Sequence, residues 1–218
     1  MLRNFNVRIQ PYVRFLKREQ LDEIHHATLE ILERTGIVVY EEETLDILAG
    51  AGCSISEKNR VKIPGHLVEE ALRSVAKRCT LSYRNGSQRL LVEDRKSYWG
   101  TGSDTPYILD SYTGERRQTT LRDVEQVSRL VDGLHHMDFL MCMGVAHELP
   151  HTIADKHHFV AMVSNTVKPI VFTASSRENL KDIYEMACMV AGSEEALHRN
   201  MFITHYTEPI SPLIHPKF

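Results

Sequence analysis

An α/β fold on a parallel sheet, about four β/α units long and preceded by a helix-and-hairpin region, is the architecture this sequence predicts. Three observations carry it. After Ser97, short apolar runs recur at Asp138-Phe-Leu-Met-Cys-Met143, Pro169-Ile-Val-Phe-Thr173 and Met201-Phe-Ile-Thr204, too short for helices and apolar on both faces, as buried parallel strands are. Between them lie stretches opened by a Ser or Thr with an acid three residues on: Thr120 with Asp123, Thr152 with Asp155, Ser175 with Glu178. Finally, no Gly-x-Gly-x-x-Gly opens a helix after the first strand, which removes the main support for a doubly wound dinucleotide-binding sheet. A (β/α)₈ TIM-type barrel takes roughly 250 residues. The expectation is therefore a lead-in over residues 1–97 followed, over 98–218, by the first half of such a barrel, with the C-terminal half missing. A half barrel leaves open sheet edges, so the chain is expected to be a fragment, a truncated product, or one that pairs with another half.

The elements follow in order. From Lys17 to Thr35 the set Leu21, Ile24, Ala27, Thr28, Ile31 and Leu32 recurs at helical spacing, and Gly36 supplies a left-handed stop. Ile37–Val39 is a short strand, Thr44–Ala49 a second helix, and Val61–Ile63 a strand halted by Pro64. A third helix, about His66 to Ala76, buries Leu67, Val68, Ala71, Leu72 and Val75. Thr80–Arg84 and Gln88–Glu93 flank Asn85-Gly86, a strong hairpin signal. The helix after Thr120 buries Val124, Val127, Leu130, Val131 and Leu134; the next offers Phe159, Val160 and Val163; the last offers Leu180, Ile183, Met186, Ala187 and Val190 before Gly192.

Composition narrows the function. With 26 Lys and Arg against 29 Asp and Glu, scattered among one another, the chain has no basic field, so a nucleic-acid partner is not expected. Cys53, Cys79, Cys142 and Cys188 lie far apart without CxxC spacing, which predicts reduced thiols in the cytoplasm. Neither a signal-peptide core nor a membrane span is expected. Between Tyr98 and Thr120, Trp99, Tyr107 and Tyr112 stand beside Asp104, Asp110, Glu115, Arg116 and Arg117, more side-chain chemistry than a turn requires, which makes this loop a candidate site wall. His147-Glu-Leu-Pro-His151 matches the zinc-protease pattern in letters, but Pro150 breaks the helix that would align its two histidines, so a loop is expected there and no metal site. At the end of the last strand, His205, Tyr206 and Glu208 fall where a barrel delivers side chains to its active face.

Several of these segments carry a family likeness. Gly102-Ser-Asp-Thr-Pro-Tyr107 with Asp110 and Thr113-Gly-Glu-Arg-Arg117, Thr120-Leu-Arg-Asp123, Asn165-Thr-Val-Lys-Pro169 and Glu208-Pro-Ile-Ser-Pro-Leu213 resemble the trimethylamine methyltransferase family, which includes glycine betaine methyltransferases lacking pyrrolysine. The resemblance runs over nearly the whole chain. It implies a (β/α)₈ barrel about twice this length, whose C-terminal half holds pyrrolysine in those members that have it. It also implies methyl transfer from a methylated amine to the Co(I) of a corrinoid (cobalamin) on a cognate corrinoid protein, with no cofactor bound by the chain directly and room for a homo-oligomer in the full-length form. For such a substrate Trp99, Tyr107 and Tyr206 are the aromatic candidates, Asp104 and Glu208 the acidic ones, and His205 a partner for a betaine carboxylate. The chain alone is expected to be inactive. The rival is a non-catalytic truncated paralogue or partner-binding half barrel; a metal-dependent hydrolase rests only on the broken HExxH.

Overall fold

The computed structural model describes residues 13–93, 96–207 and 213–215. Contacts divide the chain into two compact units, Met1–Val75 with Pro209–Lys217, and Ala76–Glu208 with Phe218. The hairpin that the sequence reading put in the lead-in thus belongs to the second unit.

In the first unit, α1 (Arg18–Glu30) runs into a π-helical turn, Ile31–Thr35, and stops at Gly36 with φ +70°. A side chain there would put its Cβ 2.2 Å from the Val61 carbonyl oxygen, so both the backbone angle and the close approach of the neighbouring main chain demand glycine. β1 (Ile37–Val39) follows, then α2 (Glu42–Gly50), which begins two residues earlier than predicted because Glu41 caps it, accepting the Thr44 N–H at 2.6 Å. β2 (Ser54–Ser56), missed in the sequence because none of its three residues is buried, pairs with β3 (Arg60–Lys62), and α3 (Gly65–Ser74) comes after Pro64. With β11 (Ile214–His215) these strands form a sheet ordered β11-β1-β3-β2, parallel only between β1 and β11. Its core is Val39, Cys53 and Val61, ringed by Ile37, Leu45, Leu48, Ile63 and Leu67.

The second unit opens with the hairpin β4 (Cys79–Ser82) and β5 (Arg89–Val92), turning at Asn85-Gly86 as expected, with Gly86 at φ +71°. Ser82 N–H donates to Met201 O and Arg84 N–H to Val167 O, both at 2.7 Å, and Leu81, Tyr83 and Leu90 pack with Tyr98, Phe139, Val167 and Met201. Those bonds are why the hairpin goes with the sheet. Inside the segment expected to be one long loop, Tyr98 to Thr120, lies a second hairpin, β6 (Tyr107–Leu109) and β7 (Arg116–Gln118).

Then the predicted rhythm appears: α4 (Leu121–Gly133), β8 (Leu140–Met141), α5 (His151–Asn165), β9 (Ile170–Phe172), α6 (Arg177–Ala191), a further short helix α7 (Glu194–Arg199), and β10 (Ile203–His205). β8, β9 and β10 are parallel neighbours in that order. Parallel bridges from Gly100 to Phe139 and from Thr105 to Gly144 add the 99–105 segment as a further row beside β8. Spatial order therefore follows chain order, without the reversal of a doubly wound sheet. Among the described residues this sheet does not close, since β10 pairs only with β9. Leu140, Cys142, Ile170, Phe172 and Ile203 enter one buried core with Val124 and Val131 of α4, Phe159 and Met162 of α5, and Ile183 and Ala187 of α6.

Of the three predicted capping boxes, the first forms as expected, between Thr120 and Asp123. The other two are corrections. Helix α5 starts at His151 behind Pro150, so Thr152 already lies within its first turn and Asp155 turns instead to the next helix. Helix α6 is capped by Ser176, whose Oγ accepts the Asn179 N–H at 3.1 Å, not by Ser175. Among the described residues no helix is long and apolar enough to cross a membrane.

Candidate functional site

In a sheet of parallel rows, loops at the carboxyl ends of the strands are brought to one edge. The register sets the levels there. Ile203, Thr204 and His205 pair with Ile170, Val171 and Phe172, Leu140 and Met141 with Ile170 and Val171, and Thr105 with Gly144. One residue beyond the paired region, Tyr206 donates its N–H to Phe172 O at 2.8 Å, and Asp104 donates its own to Cys142 O at 2.9 Å. Asp104, Met143, Thr173 and Tyr206 thus share a level at the carboxyl edge.

Alternation along each strand then sorts the faces. Since Leu140, Cys142, Ile170, Phe172 and Ile203 enter the helix-covered core, Met141, Val171 and Thr204 are turned the other way. Tyr206 follows His205 and takes that second face. His205 itself goes with the helix side: its ring centroid is 5.5 Å from that of Phe172, which in turn meets Phe159 of α5 edge-on at 6.0 Å. Burial pushes the His205 imidazole below its usual range, which keeps it neutral at pH 7. Adjacent in sequence, His205 and Tyr206 therefore serve opposite faces, and the expected betaine-carboxylate role of His205 is not supported by its position.

Trp99 is separated in the other direction. Its carbonyl accepts the Asp138 N–H and its N–H donates to Asp138 Oδ2 at 2.9 Å, at the start of the row that ends at Thr105. Five residues of extended chain put it on the order of 15 Å from the level of Asp104, at the amino edge. Tyr107 lies two residues past Thr105, and the Arg116 guanidinium already sits over its ring, 3.7 Å from the centroid. Glu208 lies outside the described residues. Of the six predicted site residues, Asp104 and Tyr206 are brought to one level and one edge, with Met143 and Thr173, which sequence reasoning missed, between them. An unbroken apolar run has no period, so nothing in the letters shows which of its residues face the core.

Asp104 has φ +59°, a left-handed backbone that aspartate tolerates better than most residues. The turn is held from both sides: Thr105 donates its N–H and hydroxyl to Met143 O, and its own carbonyl accepts from Val145 N–H at 3.1 Å and from Thr119 Oγ1 at 3.1 Å. Cys142, buried beneath, has its thiol pushed up to about 12 by that burial, with the Asp104 charge adding to it, so it stays protonated and donates to Gly144 O. Behind the next strand, Asp155 Oδ2 accepts from Ser175 N–H, Ser175 Oγ and Asn179 Nδ2 at 2.8 to 3.0 Å, fixing the turn between β9 and α6. His147-Glu-Leu-Pro-His151 is a turn, as expected: Pro150 precedes the first residue of α5, His147 N–H donates to Thr119 O, and Glu148 Oε1 accepts the Leu121 N–H of α4.

Comparison with known proteins bears on the whole chain. The family model described as trimethylamine methyltransferase (MTTB) matches residues 2–217. The chain is 31% identical over 196 residues to trimethylamine methyltransferase MttB of Desulfitobacterium hafniense strain DSM 10664 / DCB-2, an alignment covering 89% of this chain and 40% of that protein. It is 24% identical over 204 residues to glycine betaine methyltransferase of Desulfitobacterium hafniense strain Y51, covering 93% and 42%, and 28% identical over 209 residues to trimethylamine methyltransferase MttB of Methanosarcina barkeri, covering 89% and 41%. The chain spans about 40% of the length of these relatives.

Proposed function

Because the chain belongs to the trimethylamine methyltransferase family, we propose that it serves transfer of a methyl group from a methylated amine, either trimethylamine or a quaternary amine such as glycine betaine, to the Co(I) of a corrinoid held by a separate protein. Beyond the family itself, the observation that carries this reading is the shared level of Asp104 and Tyr206 at the carboxyl edge, with Tyr206 on the sheet face turned away from the helices. The chain-order run of parallel rows further supports the sheet as a segment of a (β/α)₈ barrel whose lumen this face would line. The free thiols and mixed charge fit a cytoplasmic setting.

The chemistry asks little of the protein in acid or base groups. The corrinoid is a co-substrate that supplies a nucleophilic metal. As the methyl carbon is taken, the carbon–nitrogen electron pair returns to nitrogen, so the amine must start as a cation to leave neutral. A quaternary amine meets that condition by constitution and trimethylamine by carrying a proton. The site's work is then to hold an alkylammonium ion, align one carbon–nitrogen bond and exclude water. An aromatic face and a carboxylate suit that ion. Three inter-strand steps of about 4.8 Å set the two main chains roughly 14 Å apart. A span of that width would accommodate one small alkylammonium ion between Tyr206 and Asp104, beside Thr173 and Met143.

The test combines binding and turnover in a full-length version. Calorimetric affinity for glycine betaine, trimethylammonium and tetramethylammonium is expected to weaken about tenfold in Tyr206→Ala, as loss of one cation–π contact would give, and to survive in Tyr206→Phe. Asp104→Asn is expected to weaken all of these ligands. Unchanged affinity in both Tyr206→Ala and Asp104→Asn removes this pair from the site. Turnover is read in a full-length version, since this chain spans about 40% of its relatives' length; failure there to change the corrinoid's Co(I) absorbance with either amine overturns the function.

A further inference from the structure

His158 is a buried titratable group that the proposed chemistry leaves unused. Helix α5 carries it beneath the connection from β8, where its Nε2 accepts the backbone N–H of buried Ala146 at 3.0 Å. That donor fixes the state of the ring. A neutral imidazole accepting at Nε2 must carry its proton on Nδ1, and an imidazolium, with N–H at both nitrogens, has nothing left to accept with.

The segment so anchored joins other parts of the carboxyl edge. Val145 N–H donates to Thr105 O at 3.1 Å, His147 N–H to Thr119 O at 3.0 Å, and Glu148 Oε1 takes the Leu121 N–H at 2.8 Å. One acceptor on α5 thus seats the loop that ties the end of the first sheet row, the end of β7 and the start of α4.

We propose that His158 is a proton-operated latch, whose protonation expels the Ala146 N–H and frees the 144–149 loop from the carboxyl edge while the core of the second unit stays folded. The titratable groups acting on it are Asp155 and His157 on its own helix and Glu148 on the loop. Burial and His157 disfavour the imidazolium, whereas Asp155 and Glu148 favour it, and burial dominates, holding the ring below the usual histidine range. The closed latch is therefore the neutral-pH state. As pH falls below about 6.5 the open state takes up a proton that the closed state refuses, and its population rises by up to about tenfold per pH unit. The latch is independent of the methyl-transfer reading, since it rests on hydrogen bonds that no substrate enters.

Amide hydrogen exchange between pH 7.5 and 5, expressed as protection factors, tests it. Val145, Ala146 and His147 are expected to lose up to about tenfold protection per pH unit below pH ~6.5, while Ile170 and Ile183 hold theirs. In His158→Gln, whose side-chain oxygen accepts without titrating, loop protection is expected to stay flat. Parallel decline of loop and core amides, or the wild-type slope in His158→Gln, overturns the latch. Should that variant not fold, nitrogen-15 shifts of the wild-type ring decide. An unprotonated Nε2 at neutral pH that converts to imidazolium in step with the Ala146 amide supports the latch; a ring already protonated at Nε2, or one that titrates without moving that amide, overturns it.

Discussion

Replacing Lys168 by methionine sets a buried charge against the hydrogen bonds it makes. Lys168 is 5% exposed, and its ammonium donates to Val131 O and Leu134 O at 2.6 Å and to Met137 O at 2.7 Å. These are carbonyls of the last turn of α4 and of the chain just after it, the groups a helix end leaves without partners. Val131 O and Leu134 O also accept the N–H groups of Leu134 and Met137, each at 3.2 Å. Lys168→Met, similar in length, therefore leaves those oxygens one partner each and removes the ammonium from Met137 O. The orphaned carbonyl costs about 1–3 kcal/mol and each lost charge-assisted bond about 1, against about 1–2 recovered because no ammonium need be desolvated. The expected net loss is about 1–4 kcal/mol, whose midpoint corresponds to a fall in Tm of roughly 5–10 °C for a chain of this size. Urea unfolding followed by the fluorescence of the single tryptophan, Trp99, reports this unit directly, because its N–H is bonded to Asp138, next in sequence to Met137. A lower midpoint with unchanged m-value is expected. A variant as stable as the parent would refute the reasoning, by showing that burying the ammonium costs as much as its three bonds return.

Other perturbations probe different links. The Arg117 guanidinium grips buried Asp123 at 2.7 and 2.8 Å, and with Thr120 it holds that carboxyl well below the usual carboxylate range. Below the unfolded value near 3.9 the unfolded chain then binds more protons than the folded one, so the stability this group contributes is present above about pH 4 and lost as pH falls. Asp123→Asn is expected to lower stability at pH 7 and to flatten its decline between about pH 4 and pH 2, measured as urea midpoints across that range; an unchanged acid slope would exclude the pair as its source. Gly36→Ala combines a positive φ with a Cβ 2.2 Å from a backbone oxygen, which cannot rotate aside as a side chain would. A loss above about 2 kcal/mol is expected in the first unit, read as falling amide protection at Val39 and Val61, and unaltered protection would contradict the approach seen here.

What could be read from the letters, and what could not, divides along a physical line. Local signals held where the partner of each group is also local. Thr120 and Asp123 close on each other across one helical turn, Asn85-Gly86 turns a hairpin, and Gly36 stops a helix. The same Thr-x-x-Asp letters failed at Thr152 and Asp155, because Pro150 takes the position before the helix and the carboxylate finds Ser175 and Asn179, 20 and 24 residues away. Candidate-site residues failed for a related reason. Trp99 stands five residues from Asp104 in a stretch rich in aromatic and acidic groups, and closeness in sequence suggested closeness in the site. In an extended row five residues are a long way, and the hydrogen bonds to Asp138 put Trp99 at the edge opposite the loops. His205 was separated from Tyr206 across the sheet instead of along it, since neighbours on a strand face opposite sides. The candidate site is thus set by two quantities absent from composition, the level of a residue on its strand and the parity of its position. Both follow once a single pairing is known: with Ile203 opposite Ile170, Tyr206 is placed level with Thr173 and away from Phe172 and the helices. A one-residue slip of β10 would exchange His205 for Tyr206 on that face and move Ile203 out of the core, and because Ile203 is 6% exposed in contact with that core, the burial that stabilises the unit also determines which side chain the proposed site presents.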